Sequence, residues 1–394
     1  MKYDYSEFPK MRGLGLRKHY EAPEPLKSLK IESFQGAQMF FPKAPEITKA
    51  MQDRAEKHFG YTYQDEFYFD AVCNWMKSRR KWNIKQEAIV PFFGILQALA
   101  TSLRAFTNEG DGVIFLPPSY TMHEVVTKMC GRKIAHVPLI LNNMEYSIDF
   151  DKLEKAMSLK ENKMLVICNP NNPTATLWSQ KALIRMAELA KKYDTLILSD
   201  EVFAEFAFNG GFCVPFSKQH CNADKAIVCT SISKTFNLVG IAHSNLIIEN
   251  DEIREAFCRQ SSIEFQRDMD PFMYAANIAA YTQCDEWLDQ TLEHIASNDM
   301  ILRSFFQKHL KQVKVFPLSG TFLVWIDWRG LNITEEELST FLLNEAHIAV
   351  DMGSDYAEEG RCFTRFNLAL PTKELENGLS RLLLAAKKRG WAEE

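Results

Sequence analysis

The feature that most constrains this chain is a series of short, β-branched apolar runs, each closed by a polar loop and followed by a helix-length amphipathic stretch. Met164 to Cys168, Thr195 to Ser199, Ala226 to Thr230 and Asn245 to Ile248 read as strands, as do Val113 to Leu116 and Lys133 to Val137. Between them, Leu96, Leu99, Leu103 and Phe106 recur at helical spacing, which predicts a helix over 94–106. Further helices are expected over 121–130 and over 179–193, the latter with Ser179 as its N-cap. Strands that lack clean alternation are buried on both faces, and helices between them supply the cover. The fold class is therefore α/β: a large domain with a mostly parallel sheet flanked by helices. After about Tyr281 the pattern changes to long amphipathic helices with a strand over 322–326, which predicts a smaller α+β domain. The first 45 residues are loop-like, because Pro9, Pro23, Pro25, Pro42 and Pro45 interrupt any long helix.

The rest of the composition narrows the class. The chain has 394 residues, enough for about two to four domains. Its 46 Lys and Arg against 51 Asp and Glu leave a formal charge of −5, which gives no reason to expect a nucleic-acid surface. The nine cysteines are scattered with no CxxC pair and read as thiols of a reducing compartment. The start, MKYDYSEFPK, has no apolar signal core, and no uncharged run approaches the roughly 18 residues a membrane helix needs. These features predict a soluble cytoplasmic protein of enzyme size.

Three polar signatures stand at the carboxyl ends of three predicted strands. Asn169-Pro170-Asn171-Asn172-Pro173-Thr174 follows the first, Ser199-Asp200-Glu201 closes the second, and Thr230-Ser231-Ile232-Ser233-Lys234-Thr235-Phe236-Asn237 follows the third. Singly, each has an ordinary reading: Asn-Pro turns, a helix-capping Asp, a surface Lys. Together, in this order, they fall where open α/β sheets place a ligand crevice.

This order resembles the fold-type-I pyridoxal-phosphate enzymes of the aminotransferase class I/II superfamily, over almost the whole chain. Within it, Phe59-Gly60-Tyr61-Thr62, Phe106-Thr107-Asn108-Glu109-Gly110-Asp111, Tyr146-Ser147-Ile148-Asp149-Phe150, Ser233-Lys234-Thr235-Phe236-Asn237 and Gly320-Thr321-Phe322-Leu323 look like the MalY/PatB group of cystathionine β-lyases and cystalysin-like C–S lyases. The resemblance implies a role for each matching residue. Lys234 would hold pyridoxal 5'-phosphate as a Schiff base and then carry the substrate proton. Asp200 would pair with the protonated ring nitrogen and keep the ring an electron sink. Asn172 would donate to the phenolic oxygen, and Tyr120 would stack on the ring. Gly94, Ile95 and Leu96, at a helix N-terminus, would cradle the phosphate with backbone N–H groups, joined by the Ser231 or Ser233 hydroxyl. Tyr61 would reach the phosphate of a neighbouring subunit, which implies a homodimer with shared sites. Arg365 would clamp the substrate α-carboxylate, for which a planar guanidinium is suited; a surface salt bridge is the alternative. No metal is implied.

The sequence also departs from that pattern. Phe203 stands where Tyr or His is usual, Ala175 where Gly is usual, and Ala242 where aminotransferases often carry an arginine. Thr121, Gln38 and His19-Tyr20 replace a tyrosine, an aspartate and a Trp-Asp pair of the lyase group. The changes lie on the substrate side. The leading expectation is α,β-elimination of a thiol from a cysteine conjugate such as L-cystathionine, giving pyruvate and ammonia. The alternatives are an amino-acid aminotransferase and a catalytically idle relative that binds a protein partner. A fused DNA-binding regulator is not expected, since no helix-turn-helix pattern precedes the large domain. Gly13-Leu14-Gly15 lacks the third glycine and preceding strand of a dinucleotide fingerprint. Asn332-Ile333-Thr334 is a formal glycosylation sequon, and Lys387-Lys388-Arg389 ends an amphipathic helix where cations suit the dipole. The expected organisation is an arm over 1–45, a large domain over 46–283 and a small domain over 284–394 that includes the arm.

Overall fold

The computed structural model describes residues 2–8, 31–218, 224–266 and 268–392. Pro9, Pro23, Pro25, Gly13-Leu14-Gly15 and His19-Tyr20 lie outside the described residues. The chain divides into two compact units, one formed by Lys43–Asp289 with Ser319–Thr321, the other by the described parts of Met1–Pro42, Gln290–Leu318 and Phe322–Glu394.

The first unit is built on a seven-stranded sheet. In spatial order its strands are Ile89–Phe92, Ser244–Ile247, Ala226–Thr230, Leu196–Asp200, Asn162–Cys168, Gly112–Phe115 and Lys133–His136. Six run in one direction. Ser244–Ile247 is antiparallel to both neighbours, so the sheet is mixed. The central strands Leu196–Asp200 and Ala226–Thr230 are buried at every position, which is why their sequences are apolar without alternation. Leu99, Leu103, Val113, Met164, Leu198 and Ile227 form part of the core between sheet and helices, each worth about 1.5–3 kcal/mol of burial. Ser179 caps helix Gln180–Tyr193 by accepting from the Ala182 amide, as its position before the apolar period predicts. The strand expected over 195–199 is shifted by one residue, so Asp200 is its last member and lies in register with Cys168 and Cys229.

The second unit carries a four-stranded antiparallel sheet in the order Lys314–Val315, Leu323–Asp327, Phe363–Asn367, Asp351–Met352. Three of these strands escaped the sequence reading: two are two residues long, and Phe363–Asn367 mixes two aromatic with three polar residues, all of them buried. Helix Thr372–Lys388 belongs to this unit, as does helix Asp285–His309 from Gln290 onward. The N-terminal region is not wholly loop, because Glu32–Ser33 pairs in parallel with Ile348–Ala349. Thr334 of the sequon serves as an N-cap with Glu337 completing a capping box, and Arg389 is paired with Glu345. No helix among the described residues is long and apolar enough to cross a membrane.

Candidate active site

Parallel strands in register place their last residues side by side, and the three polar signatures of the sequence meet there. Asp200 is buried, 6% exposed. One carboxylate oxygen accepts from the Val202 amide at 3.2 Å. The other lies 3.2 Å from His123 Nε2, too poorly aligned for a hydrogen bond. His123, 2% exposed, is the residue that sequence reasoning missed. It stands one helical turn after Tyr120, and its ring meets the Tyr120 ring edge-on at 5.1 Å. That i, i+3 spacing was the available signal.

Cys168 joins the cluster, with its sulfur within 4.8 Å of the donor atoms of His123 and Asp200. Burial, then the Asp200 charge, push its thiol well above the ordinary range, although the Asn172 and Tyr120 amides point toward it. The sulfur therefore sits where the Tyr120, Asn172 and Asp200 segments converge. Asn172 is buried, and Asn171 ties its loop to the Tyr120 segment by donating to the Pro118 carbonyl and to Thr174 Oγ1, at 3.2 and 2.8 Å. Ala175 follows at φ 58°, a left-handed conformation that costs a non-glycine residue about 1–2 kcal/mol. Gly320 packs on the same loop. A side chain there would put its Cβ 2.5 Å from Pro170 Cβ.

Lys234 projects from the short helix Ile232–Thr235, immediately beyond the strand Ala226–Thr230. Its Nζ lies 5.9 Å from the centre of the buried Phe203 ring. Ser231 caps that helix by accepting from the Ser233 amide at 3.0 Å while donating to the His243 carbonyl at 2.7 Å. Ser233, half-buried, makes no side-chain hydrogen bond among the described residues. Behind Ser231, His243 Nε2 lies 3.1 Å from the Tyr68 hydroxyl, which donates to Asn245 Oδ1 at 2.7 Å. Burial holds His243 down at about 3, so its ring is neutral at physiological pH. Thr235 donates to Glu205 at 3.0 Å, so both ends of the Lys234 turn are anchored. Beneath Asp200, Glu201 forms a buried 2.5 Å ion pair with Arg80.

Gly94 caps helix Ile95–Phe106 at φ 103° with no side-chain cap, and nothing lies within 4 Å of where its Cβ would be. The Gly94 amide itself is taken by Ser244 Oγ at 3.2 Å. An uncapped N-terminus beside open space suits an anion. A buried carboxylate that no arginine or lysine of the described residues pairs with suits a protonated heterocyclic nitrogen. These residues therefore fit pyridoxal phosphate. Tyr61, 90% exposed, is not brought into the cluster.

In the second unit, Arg365 is 4% exposed and not a surface group. Its guanidinium pairs with Asp351 at 2.5 Å and lies 4.9 Å from the centre of the Tyr356 ring.

The aminotransferase class I and II model matches residues 33–382. The chain belongs to this family. Among its relatives, cystathionine beta-lyase PatB of Bacillus subtilis is 32% identical over 87% of this chain and 89% of that protein. Protein MalY of Escherichia coli is 27% identical over 90% and 91%. Cystalysin from Treponema denticola, whose crystal structure contains a pyridoxal 5'-phosphate cofactor, superposes with a TM-score of 0.92 at 32% identity, covering 99% of this chain and 100% of that one. Within the aminotransferase class I and II family, these likenesses lie on the C–S lyase side.

Proposed function

We propose that the protein is a pyridoxal-phosphate-dependent C–S β-lyase that releases a thiol, pyruvate and ammonia from a cysteine conjugate such as L-cystathionine. The observation that carries this reading is the buried Asp200–His123 pair sharing one end of the sheet with the Lys234 turn. Its likeness to PatB and cystalysin favours elimination over transamination, as does Ala242 where aminotransferases often have an arginine.

When bound, the cofactor supplies a ring that stabilises negative charge at the substrate's Cα. Asp200 would hold a proton on the ring nitrogen, with His123 packed beside its other carboxylate oxygen. Asn172 would donate to the phenolic oxygen, and Tyr120 would pack on the ring face. The Ile95 and Leu96 amides, at the helix opened by Gly94, would take the phosphate together with the Ser233 hydroxyl. Ser231 is assigned a structural part, because its proton already goes to the His243 carbonyl. Lys234 Nζ would be the attachment point and, once displaced by the substrate's amine, would take the Cα proton; the Cβ–S bond then breaks, the thiolate leaves, and water hydrolyses the released enamine to pyruvate and ammonia. Arg365 receives the α-carboxylate.

The active species is a homodimer in the cytoplasm. Tyr61, Phe59, Phe67 and Phe265 are exposed by 90, 55, 66 and 87%, large apolar side chains that a second copy would cover, and Tyr61 would reach that copy's phosphate. All eight described cysteines are free thiols, in keeping with a reducing compartment.

The test is to incubate the protein with pyridoxal phosphate and cystathionine, without a 2-oxo acid, and assay pyruvate. Sustained release is expected. Turnover only after a 2-oxo acid is added makes the protein an aminotransferase, and a bound cofactor without either activity makes it a binding relative. Lys234→Ala abolishes the visible band of lysine-bound cofactor; an unchanged band overturns the assignment. Sedimentation of the holoenzyme tests the dimer.

A further inference from the structure

We propose that Asp351 is a positioning residue for Arg365, coupling this guanidinium to the N-terminal segment at Gly36 through a single carboxylate oxygen. The inference rests on the reading of Arg365 as the receiver of the substrate α-carboxylate.

The backbone arranges the coupling. Asp351 and Arg365 are register partners on the antiparallel strands Asp351–Met352 and Phe363–Asn367. Asp351 Oδ2 accepts from Arg365 Nε at 3.1 Å and from Nη2 at 2.5 Å, and the same oxygen accepts from the Gly36 amide at 2.8 Å. Two residues along the strand, and so on the same face, Asn367 Nδ2 donates to the Gly36 carbonyl at 2.9 Å and the Gln38 carbonyl at 2.7 Å. Gly36 is thus held at both its N–H and its C=O, at φ 77°, a conformation that favours glycine. Upstream, the Gln35 side chain donates to the Val350 carbonyl at 3.0 Å, which fastens the segment to the same strand region.

Asp351 acts on Arg365 in two opposed ways. As an anion it competes with an incoming carboxylate. As an acceptor on the Nε–Nη2 edge it fixes the plane of the guanidinium that is to meet the ligand. Orientation outweighs competition, because charge-assisted hydrogen bonds weaken steeply with misalignment and an arginine side chain has many rotamers to lose. A carboxylate seated on Arg365 therefore also steadies Asp351 and, through it, residues 34–38.

The experiment uses the holoenzyme. Asp351→Asn keeps the volume but removes the charge and one acceptor. It is expected to raise the KM for cystathionine about tenfold while kcat stays within about threefold, and to speed amide exchange across residues 34–38. A KM that is unchanged or lower overturns the proposal. Wild-type protein provides the second measurement, independent of whether the variant folds. L-alanine, which has an α-carboxylate and no leaving group, slows exchange of residues 34–38, whereas ethylamine, which has no carboxylate, does not. Equal effects of the two, or none, overturn the proposal. Wild-type pyruvate release together with a raised KM in Arg365→Lys keeps the underlying reading intact whichever way Asp351 behaves.

Discussion

The strand ends around Asp200 and the strand that carries Arg365 bury charge in opposite ways. Asp200 has the Val202 amide, the His123 ring and the Cys168 thiol around it, and no arginine or lysine of the described residues pairs with it. Arg365 is compensated within its own sheet by Asp351, on the adjacent strand. A buried charge without a counter-ion is costly and makes the site depend on a ligand to complete it. A buried charge that already has one is stable alone and binds a further anion by sharing. The first arrangement suits a resident cofactor, the second a substrate that must come and go.

Removing the Asp200 carboxylate is the strongest way to break this contrast. Asp200→Ala should cut pyruvate formation by about 10³-fold, since breaking a buried ion pair costs about 3–5 kcal/mol, and should loosen the cofactor in a visible titration. Activity within tenfold of wild type would remove Asp200 from the ring nitrogen. Arg365→Lys should be milder, with KM up about 30-fold and kcat nearly kept, from roughly 2 kcal/mol of lost bidentate geometry. A comparable fall in kcat would show that Arg365 does more than seat the carboxylate.

Two stability measurements sharpen the comparison further. Gly320→Ala forces a Cβ against Pro170 and should lower the urea midpoint by the equivalent of about 1–3 kcal/mol. It strains the Asn172 loop without touching any charge, and an unchanged midpoint would mean that this loop yields freely. In the second unit, burial, then a hydrogen bond and charge contact with Glu374, lift Glu32 to about 7 against the opposing pull of Arg381. The folded state binds this proton more tightly than the unfolded chain. The stability it contributes is therefore complete below about pH 4.5 and lost as pH rises through 7. Glu32→Gln should exceed wild type by about 1–3 kcal/mol at pH 8 and match it at pH 4. Thermal unfolding at the two pH values measures this, and equal curves at pH 8 would place the proton elsewhere.

Much of the large unit was legible because its signals are local. Apolar runs buried on both faces, Ser179 before a helical period, and polar loops at strand ends all follow from backbone geometry. The same rules said little about the second unit, whose strands are short and whose Phe363–Asn367 strand buries Thr364, Arg365 and Asn367. Buried polar residues look exposed in a sequence unless their partners are known. For the same reason His123, the Arg80–Glu201 pair and the Tyr68–His243–Asn245 chain went unread.

By itself, then, the sequence determined the α/β class, the order of the strand-end motifs and the identity of Asp200, Asn172 and Lys234 as candidates, because each depends on residues adjacent along the chain. Only the tertiary structure decided that Ser231 is a cap while Ser233 keeps its hydroxyl, that His123 faces Asp200, and that Arg365 shares Asp351 with Gly36. The reason is physical. A hydrogen bond or ion pair acts over about 3 Å, and these partners stand up to 331 residues apart in the chain, as Gly36 and Asn367 do.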